Sequence, residues 1–398
     1  MDTAYLLDWL NLLLRWLHVV TGIAWIGASF YFVWLDNSLK PPKDRDLIDK
    51  GVSGELWAVH GGGFYNPQKY MVAPAHLPEE LHWFKWESYS TWMSGFALLG
   101  FLYYLNAGTY LVDKSVLDIT PVQAVLASLG FLAGGWVVYD LLCRSALAKH
   151  EALLGLVIYA FLVACAYALT HVFSGRAAFL HMGAMIATIM TANVLMVIIP
   201  GQRKVVAQMR AGQPVNPVYG QRGKQRSVHN NYFTLPVLFA MLSNHYAFTY
   251  SSPHAWLLMA LVLAAGVLMR LYFNLAHKGK RYWAIWAVVA ALALLGAWIV
   301  SPQATPARSA GAAAVTLADV RPIIEQRCAV CHAAQPTFAG FAAPPKGVLL
   351  QSDAQIRQNA QMLYEQAVRL KAMPIGNVTG ITDAERAKLA AWVEGGMK

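Results

Sequence analysis

Apolar residues gather into eight runs long enough to cross a hydrocarbon layer, with the polar residues collected between them. A crossing needs about 20 such residues. The runs are Leu6–Leu35, Tyr89–Val112, Pro121–Cys143, Ala152–Phe173, Ala178–Pro200, Thr234–Ser251, Ala255–Leu275 and Tyr282–Val300. The pattern predicts an all-α fold, a polytopic eight-helix transmembrane bundle over residues 1–300. The first run is too long for a secretory leader and lacks a basic flank, so it is expected to remain as a helix. After Val300 the texture changes. Residues 301–316 are rich in Pro, Ala and Ser and read as a linker, while 317–398 reads as a small all-α soluble domain. Its last helix is expected to begin at the N-cap Thr382.

Composition supports the membrane assignment. Charged residues make up only 13% of the chain and the hydrophobic set 57%, where a soluble domain carries roughly 25% charged residues. The net charge of +10 would suggest nucleic-acid binding in a soluble chain, but its distribution follows topology. Connections 36–88, 144–151, 201–233 and 276–281 hold seventeen Lys and Arg, whereas the opposite connections hold only Lys114 and Arg176. The positive-inside rule places the first set in the cytoplasm and both termini outside. No nucleic-acid partner is expected; the lipid bilayer is.

The soluble tail carries Cys328-Ala329-Val330-Cys331-His332, the C-x-x-C-H haem-attachment pattern. Two thiols on one turn reach both vinyl groups of a haem, and the adjacent histidine supplies an axial nitrogen. A dithiol redox pair would want a βαβ context and a zinc site a second ligand pair, and neither is present in the tail. The sixth iron ligand should be Met or His, and no histidine follows His332. Met373, before Pro374, is the best placed. Met362 reads as core and Met397 as a frayed end. The tail thus resembles a small class I cytochrome c, holding one covalent haem c through Cys328, Cys331, His332 and Met373.

Four histidines fall within or at the edge of spans: His18, His171, His181 and His245. Arg15 lies one turn from His18, in a helix where a charge is costly and usually functional. These residues form a candidate haem b site, with Arg15 on a propionate. The alternative is that they bond helix to helix.

Two cytoplasmic connections carry the remaining chemistry. The first, 53 residues long, contains His60-Gly61-Gly62-Gly63-Phe64-Tyr65, then Lys69, and later His82 and Glu87. The other contains Arg222, Lys224, Arg226, His229, Asn230, Asn231 and Tyr232. Rings, cations and amides in this mixture suit a flat, anionic, nitrogen-rich ligand. An interfacial belt of aromatic and basic residues would use the same residue types. His60, His82, Glu87 and His229 are the candidate bases.

The first span, Arg15-Trp16-Leu17-His18-Val19-Val20-Thr21-Gly22-Ile23-Ala24-Trp25-Ile26-Gly27, the glycine-rich loop and the haem motif together resemble the bacterial membrane-bound urate hydroxylases with a fused C-terminal cytochrome c. The resemblance covers essentially the whole chain. It implies oxidation of urate to 5-hydroxyisourate at the inner membrane, with the N-terminus and tail in the periplasm. Electrons would leave through the tail haem to a respiratory acceptor, either a soluble cytochrome c or a terminal oxidase. A quinol-linked membrane cytochrome without urate chemistry is the rival reading.

Overall fold

A computed structural model describes residues 3–301, 315–339 and 341–397. Most of the linker expected at 301–316 lies outside the described residues. The chain begins with α1 (Thr3–Ser38) and enters a segment holding α2 (Arg45–Asp49) and four short strands. These are β1 (Val52–Glu55), β2 (Ala58–His60), β3 (Gly63–Tyr65) and β4 (Gln68–Tyr70). β1 pairs antiparallel with β4, and β2 with β3. The fold is mostly helical, but these two ribbons correct the all-α expectation.

Long helices follow: α3 (Trp86–Leu99), a short α4 (Ala107–Tyr110), α5 (Pro121–Arg144), α6 (Glu151–Thr170) and α7 (Gly175–Ala192). A π-turn at Asn193–Ile198 carries α7 into α8 (Ile199–Arg210), and α9 (Pro217–Leu242), α10 (Ala255–His277) and α11 (Ala284–Ile299) complete this half. Thr120 opens α5 with a capping box, its hydroxyl accepting from the Gln123 amide and the Gln123 side chain taking the Thr120 amide. Five helical stretches are long and apolar enough to cross a membrane: Tyr5–Ser38, Pro121–Arg144, Glu151–Thr170, Gly175–Arg210 and Ala255–His277. α11 is apolar but shorter. α3 and α9 are not among them: α3 has only 14 residues, and α9 carries buried polar residues that face other helices.

Contacts fix the helix directions. Trp92 donates to Thr188 and Ser88 lies against Thr191, so α3 runs opposite to α7. Ser128 meets His181 and Tyr139 meets Asn193, so α5 runs with α7. Asn230 meets Asn193 while Ala240 lies by Gly183, and Asn231 meets Arg270 while Pro236 lies by Gly266, so α9 opposes both α7 and α10. α7 is the central helix; Met182, Met185, Ile186 and Ile189 are buried along it. Two glycines let α9 close in, Gly183 on α7 and Gly266 on α10: a Cβ on Gly183 would lie 2.8 Å from Ala240 Cβ, and one on Gly266 would lie 2.7 Å from Pro236 Cδ.

The connection expected at 201–233 is not a loop. α8 occupies most of its first half, and α9 starts at Pro217, seventeen residues before the expected Thr234. Pro217 sits at the first helical position, where a missing N–H costs nothing, and Asn216 caps it by accepting from the Val218 amide at 3.0 Å.

The tail has its own core. α12 (Leu317–Ile324), α13 (Asp353–Gln358), α14 (Ala360–Leu363) and α15 (Asp383–Glu394) surround Val320, Ile324, Ile356, Leu389 and the fully buried Trp392. Asn359 separates α13 from α14, and Met362, expected as core, is exposed. Met397, expected to fray, packs against the core cluster. The turn after Met373 seats on the other half of the molecule: a Cβ on Gly376 would lie 2.8 Å from the Val112 carbonyl and 3.0 Å from that of Thr109.

Candidate functional site

α9 places Arg226, His229 and Asn230 three and four residues apart, hence on one face. That face meets Tyr139, Asp140 and Cys143 of α5 and Asn193 at the π-turn. Arg226 is buried and donates to Asp140 Oδ1 at 2.7 Å and to Asn193 Oδ1 at 3.4 Å. Arg144 takes the other Asp140 oxygen at 2.6 Å. Asn193 Nδ2 donates to Asn230 Oδ1 at 2.8 Å and to the Tyr139 hydroxyl at 3.1 Å. Asn230 Nδ2 donates to the Met190 carbonyl at 2.9 Å. With its oxygen accepting from Asn193, Tyr139 has its single O–H free to donate to His229 Nδ1, 2.8 Å away. The His229 proton then resides on Nε2, which faces Glu151 Oε2 at 3.6 Å.

Beside this network lies a cavity of about 190 Å³ at the end of the bundle where α5 ends and α9 begins. Arg144, Lys204, Arg222 and Arg226 line it, with Gln225, Tyr219 and Cys143. Lys204 Nζ stands 5.2 Å above the Tyr219 ring. Among the described residues Asp140 is the one acid bonded to these cations, and it is shared by two arginines, so the cavity is positive. Cys143 Sγ, on its wall, is 3.9 Å from His229 Nδ1. A small planar anion would find charge, an amide and a phenol ring here, with an imidazole behind the wall.

Of the residues expected from sequence, the structure joins Arg222, Arg226, His229 and Asn230 in or next to this cavity. Asn231 points the other way, its Oδ1 accepting from Arg270 Nε at 3.1 Å. The glycine-rich loop has a simpler explanation than ligand binding. Gly61 and Gly62, at φ +59° and +80°, form the two-residue turn between β2 and β3, which requires positive φ at both positions. Gly63 pairs with His60, Phe64 with Val59 and Tyr65 with Ala58. His60, Phe64 and Tyr65 are exposed on this hairpin and share no hydrogen bond with the α9 cluster. Lys69 does reach inward: its ammonium pairs with Asp36, which also takes Lys224 at 3.1 Å, tying the segment to α9. Burial, then the neighbouring Lys224 charge, holds Lys69 below the ordinary lysine range. His82 stacks edge-on to Phe84, centroids 4.6 Å apart, and Glu87 occupies the first turn of α3. Neither joins the cavity. Tyr139, Asp140, Arg144, Asn193 and Lys204 were missed; a lone Asp140 in an otherwise apolar run was the available signal.

The residues named for haem b do not fit that group. His181 has both ring nitrogens engaged, Nδ1 donating to the Ala177 carbonyl at 2.8 Å and Nε2 accepting from Ser128 at 2.6 Å. His171 and His245 are exposed, and His171 bonds Tyr167 of its own helix. Arg15 is exposed and donates to Asn11 at 2.8 Å. His18 alone is arranged like a ligand: Nδ1 donates to the Thr91 carbonyl at 3.0 Å, and the ring lies so close to α3 that a Cβ on Gly95 would approach it to 2.8 Å. Its bonded partners among the described residues are Thr91 and Ser94, not a second histidine.

The tail residues fit a covalent haem c. Cys328 and Cys331 are free thiols, and His332 Nδ1 donates to the Val348 carbonyl at 3.1 Å, leaving Nε2 for an iron. Burial pushes the Cys328 thiol up to about 12, so the pair is not poised as thiolates for dithiol exchange. The Met373 carbonyl accepts from Arg386 at 2.9 Å, which anchors the methionine turn to α15.

No curated protein and no solved structure is significantly similar to the chain. The family described as urate oxidase, N-terminal, matches residues 4–301. That range takes in the whole of the basic cavity and stops before the haem motif. The half of the molecule that carries the cavity therefore defines its lineage, and the chain belongs to the urate oxidase N-terminal family.

Proposed function

We propose that the chain is a membrane urate hydroxylase that converts urate to 5-hydroxyisourate and delivers the electrons through its own tail. The observation that carries this reading is the four-cation cavity with His229 behind its wall, inside the stretch matched by the family. α3, α9 and α11 join the five long apolar stretches to make eight crossings, and the alternating helix directions suit that count. The N-terminus and the tail face the periplasm, and the cavity end, with its Lys and Arg, faces the cytoplasm. The tail is a class I cytochrome c.

Urate is a planar anion at neutral pH. Arg222 and Arg226 would take its charge and Gln225 its ring amides, with Tyr219 against one face. The net reaction adds one oxygen from water at C5 and releases two protons and two electrons. His229, with Tyr139 on one nitrogen and Glu151 near the other, is the residue placed to move a proton. Glu151, with 63% of its side chain exposed, is its outlet to solvent. A haem c held by Cys328, Cys331, His332 and Met373 supplies one-electron acceptance. The terminal partner is a respiratory acceptor, a soluble cytochrome c or a terminal oxidase.

Urate added to anaerobic membranes containing the chain should reduce the tail haem and yield 5-hydroxyisourate without peroxide. Arg222→Ala, an exposed position, should raise KM for urate about tenfold, the worth of one charged hydrogen bond. Urate loss that proceeds only with dioxygen and leaves the haem oxidised would overturn the reading.

A further inference from the structure

A second cavity, of about 410 Å³, opens on the other side of α9. Phe30, Tyr31 and Trp34 of α1 and Arg270, Phe273 and His277 of α10 line it. The Arg270 guanidinium lies 4.0 Å from the Phe30 centroid and is held there by Asn231. Arg270 Nη1 makes no hydrogen bond among the described residues. His277 Nδ1 is the buried side-chain nitrogen among them that has no partner. A buried polar atom left unpaired costs about 1–3 kcal/mol, so the floor of this cleft calls for an oxygen-bearing ligand. Its rim is apolar and open: Tyr31 is 48% and Phe273 41% exposed, and Leu13, Leu17 and Val20 continue an exposed apolar flank along α1. In a bilayer that flank meets lipid tails, so the occupant arrives from the lipid as a flat apolar ring with carbonyl oxygens.

The two cavities are neighbours. Asn230 bonds to the network of the basic cavity and Asn231, the next residue, to Arg270 in the cleft. Only α9, about 10–12 Å across, stands between them. Gly201 at the basic cavity and Gly175 at the tail's docking corner are 26 positions apart on α7 and α8, or about 39 Å at 1.5 Å per residue. The nearer electron sink for the cavity is the cleft.

We propose that the cleft holds the head group of a membrane quinone, a second outlet beside the tail, which takes the electron pair from the substrate in the basic cavity. This rests on the urate reading above. A C–O bond forms at C5 of urate from water, one water O–H and one urate N–H are broken, and two electrons and two protons leave. Both quinone carbonyls become C–OH. Urate, water and quinone give 5-hydroxyisourate and hydroquinone, and dioxygen takes no part. Arg270 and His277 donate to the quinone oxygens, and Phe30 and Phe273 flank the ring.

The test uses the full chain freed of endogenous quinone in lipid nanodiscs, with ubiquinone-1 as the probe. Anaerobic urate should convert ubiquinone-1 to its quinol, and His277→Ala and Phe273→Leu should each lower that rate at least tenfold. In a second arm that needs no urate, a photoactivated azidoquinone should label residues 30–34 or 270–277, and excess ubiquinone-1 should suppress the label. Labelling elsewhere, or variants that behave like the parent, would overturn the cleft while leaving urate oxidation in native membranes intact. Labelling in the cleft without any urate oxidation would keep the site and remove the function.

Discussion

Arg226 and Asp140 show how a single pair organises the cavity. Arg226 has only 3% of its side chain exposed and Asp140 13%. Removing one partner strands the other charge, so Asp140→Asn should cost about 3–5 kcal/mol, measured by SDS-titrated unfolding in mixed micelles. Tyr139→Phe is the gentler probe. It keeps the ring but breaks the link between Asn193 and His229, so kcat for urate should fall while KM holds. Arg222, Arg226, His229 and Asn230 could be picked from the sequence as candidates because their residue types suit a planar anion. It concealed Asp140, Asn193 and Tyr139, since each stands alone in an apolar run and acquires a role only when three helices meet. The His60–Tyr65 string admits a plainer reading: its glycines satisfy a local turn, and local turn chemistry can imitate a ligand loop.

Among the elements, α9 departs most from the hydropathy pattern. Its first half is polar, yet Arg226, Asn230 and Asn231 are buried. Averaged hydropathy counts such residues as solvent-facing, whereas here they satisfy one another across helix interfaces. Apolar runs, by contrast, were legible because bilayer thickness sets their length. The tail helices carry a pH dependence. Asp319 is held below the usual carboxylate range by the Thr316 amide and hydroxyl, Glu365 by Arg369, and Asp383 by Lys371. A depressed folded pKa adds stability above the unfolded value, about 3.9–4.3, and loses it as pH falls through the folded one. The tail should therefore melt earlier as pH drops below about 4. Asp319→Asn should flatten that slope, followed by haem absorbance during heating of the full chain.

For the whole molecule, the decisive contact is the turn after Met373 lodged against the carbonyls of Thr109 and Val112. Gly376, at φ +55°, accommodates both the backbone and the close approach. Gly376→Val should lift the tail from this corner, slowing urate-driven haem reduction at least tenfold while dithionite still reduces it fully. Loss of covalent haem in that variant would instead mean that the turn serves attachment. The change of composition after Val300 suggests two parts, but this docking leaves no such mark, because it depends on carbonyl groups that carry no side-chain signature.

Under the proposed function, seating the tail at one end of the bundle and the basic cavity at the other gives the electron route an electrical direction. Negative charge leaving a negatively polarised interior for the outer face moves downhill, gaining about 2.3 kcal/mol per electron for every 100 mV. Transfer to the cleft, on the same side as the cavity, crosses little of that field. In vesicles poised with a potassium diffusion gradient, an inside-negative voltage should accelerate reduction of an external acceptor and leave quinol formation unchanged. Purine oxidation through the tail would then draw on the cell's proton-motive store, and the balance between the two outlets would track how well energised the membrane is.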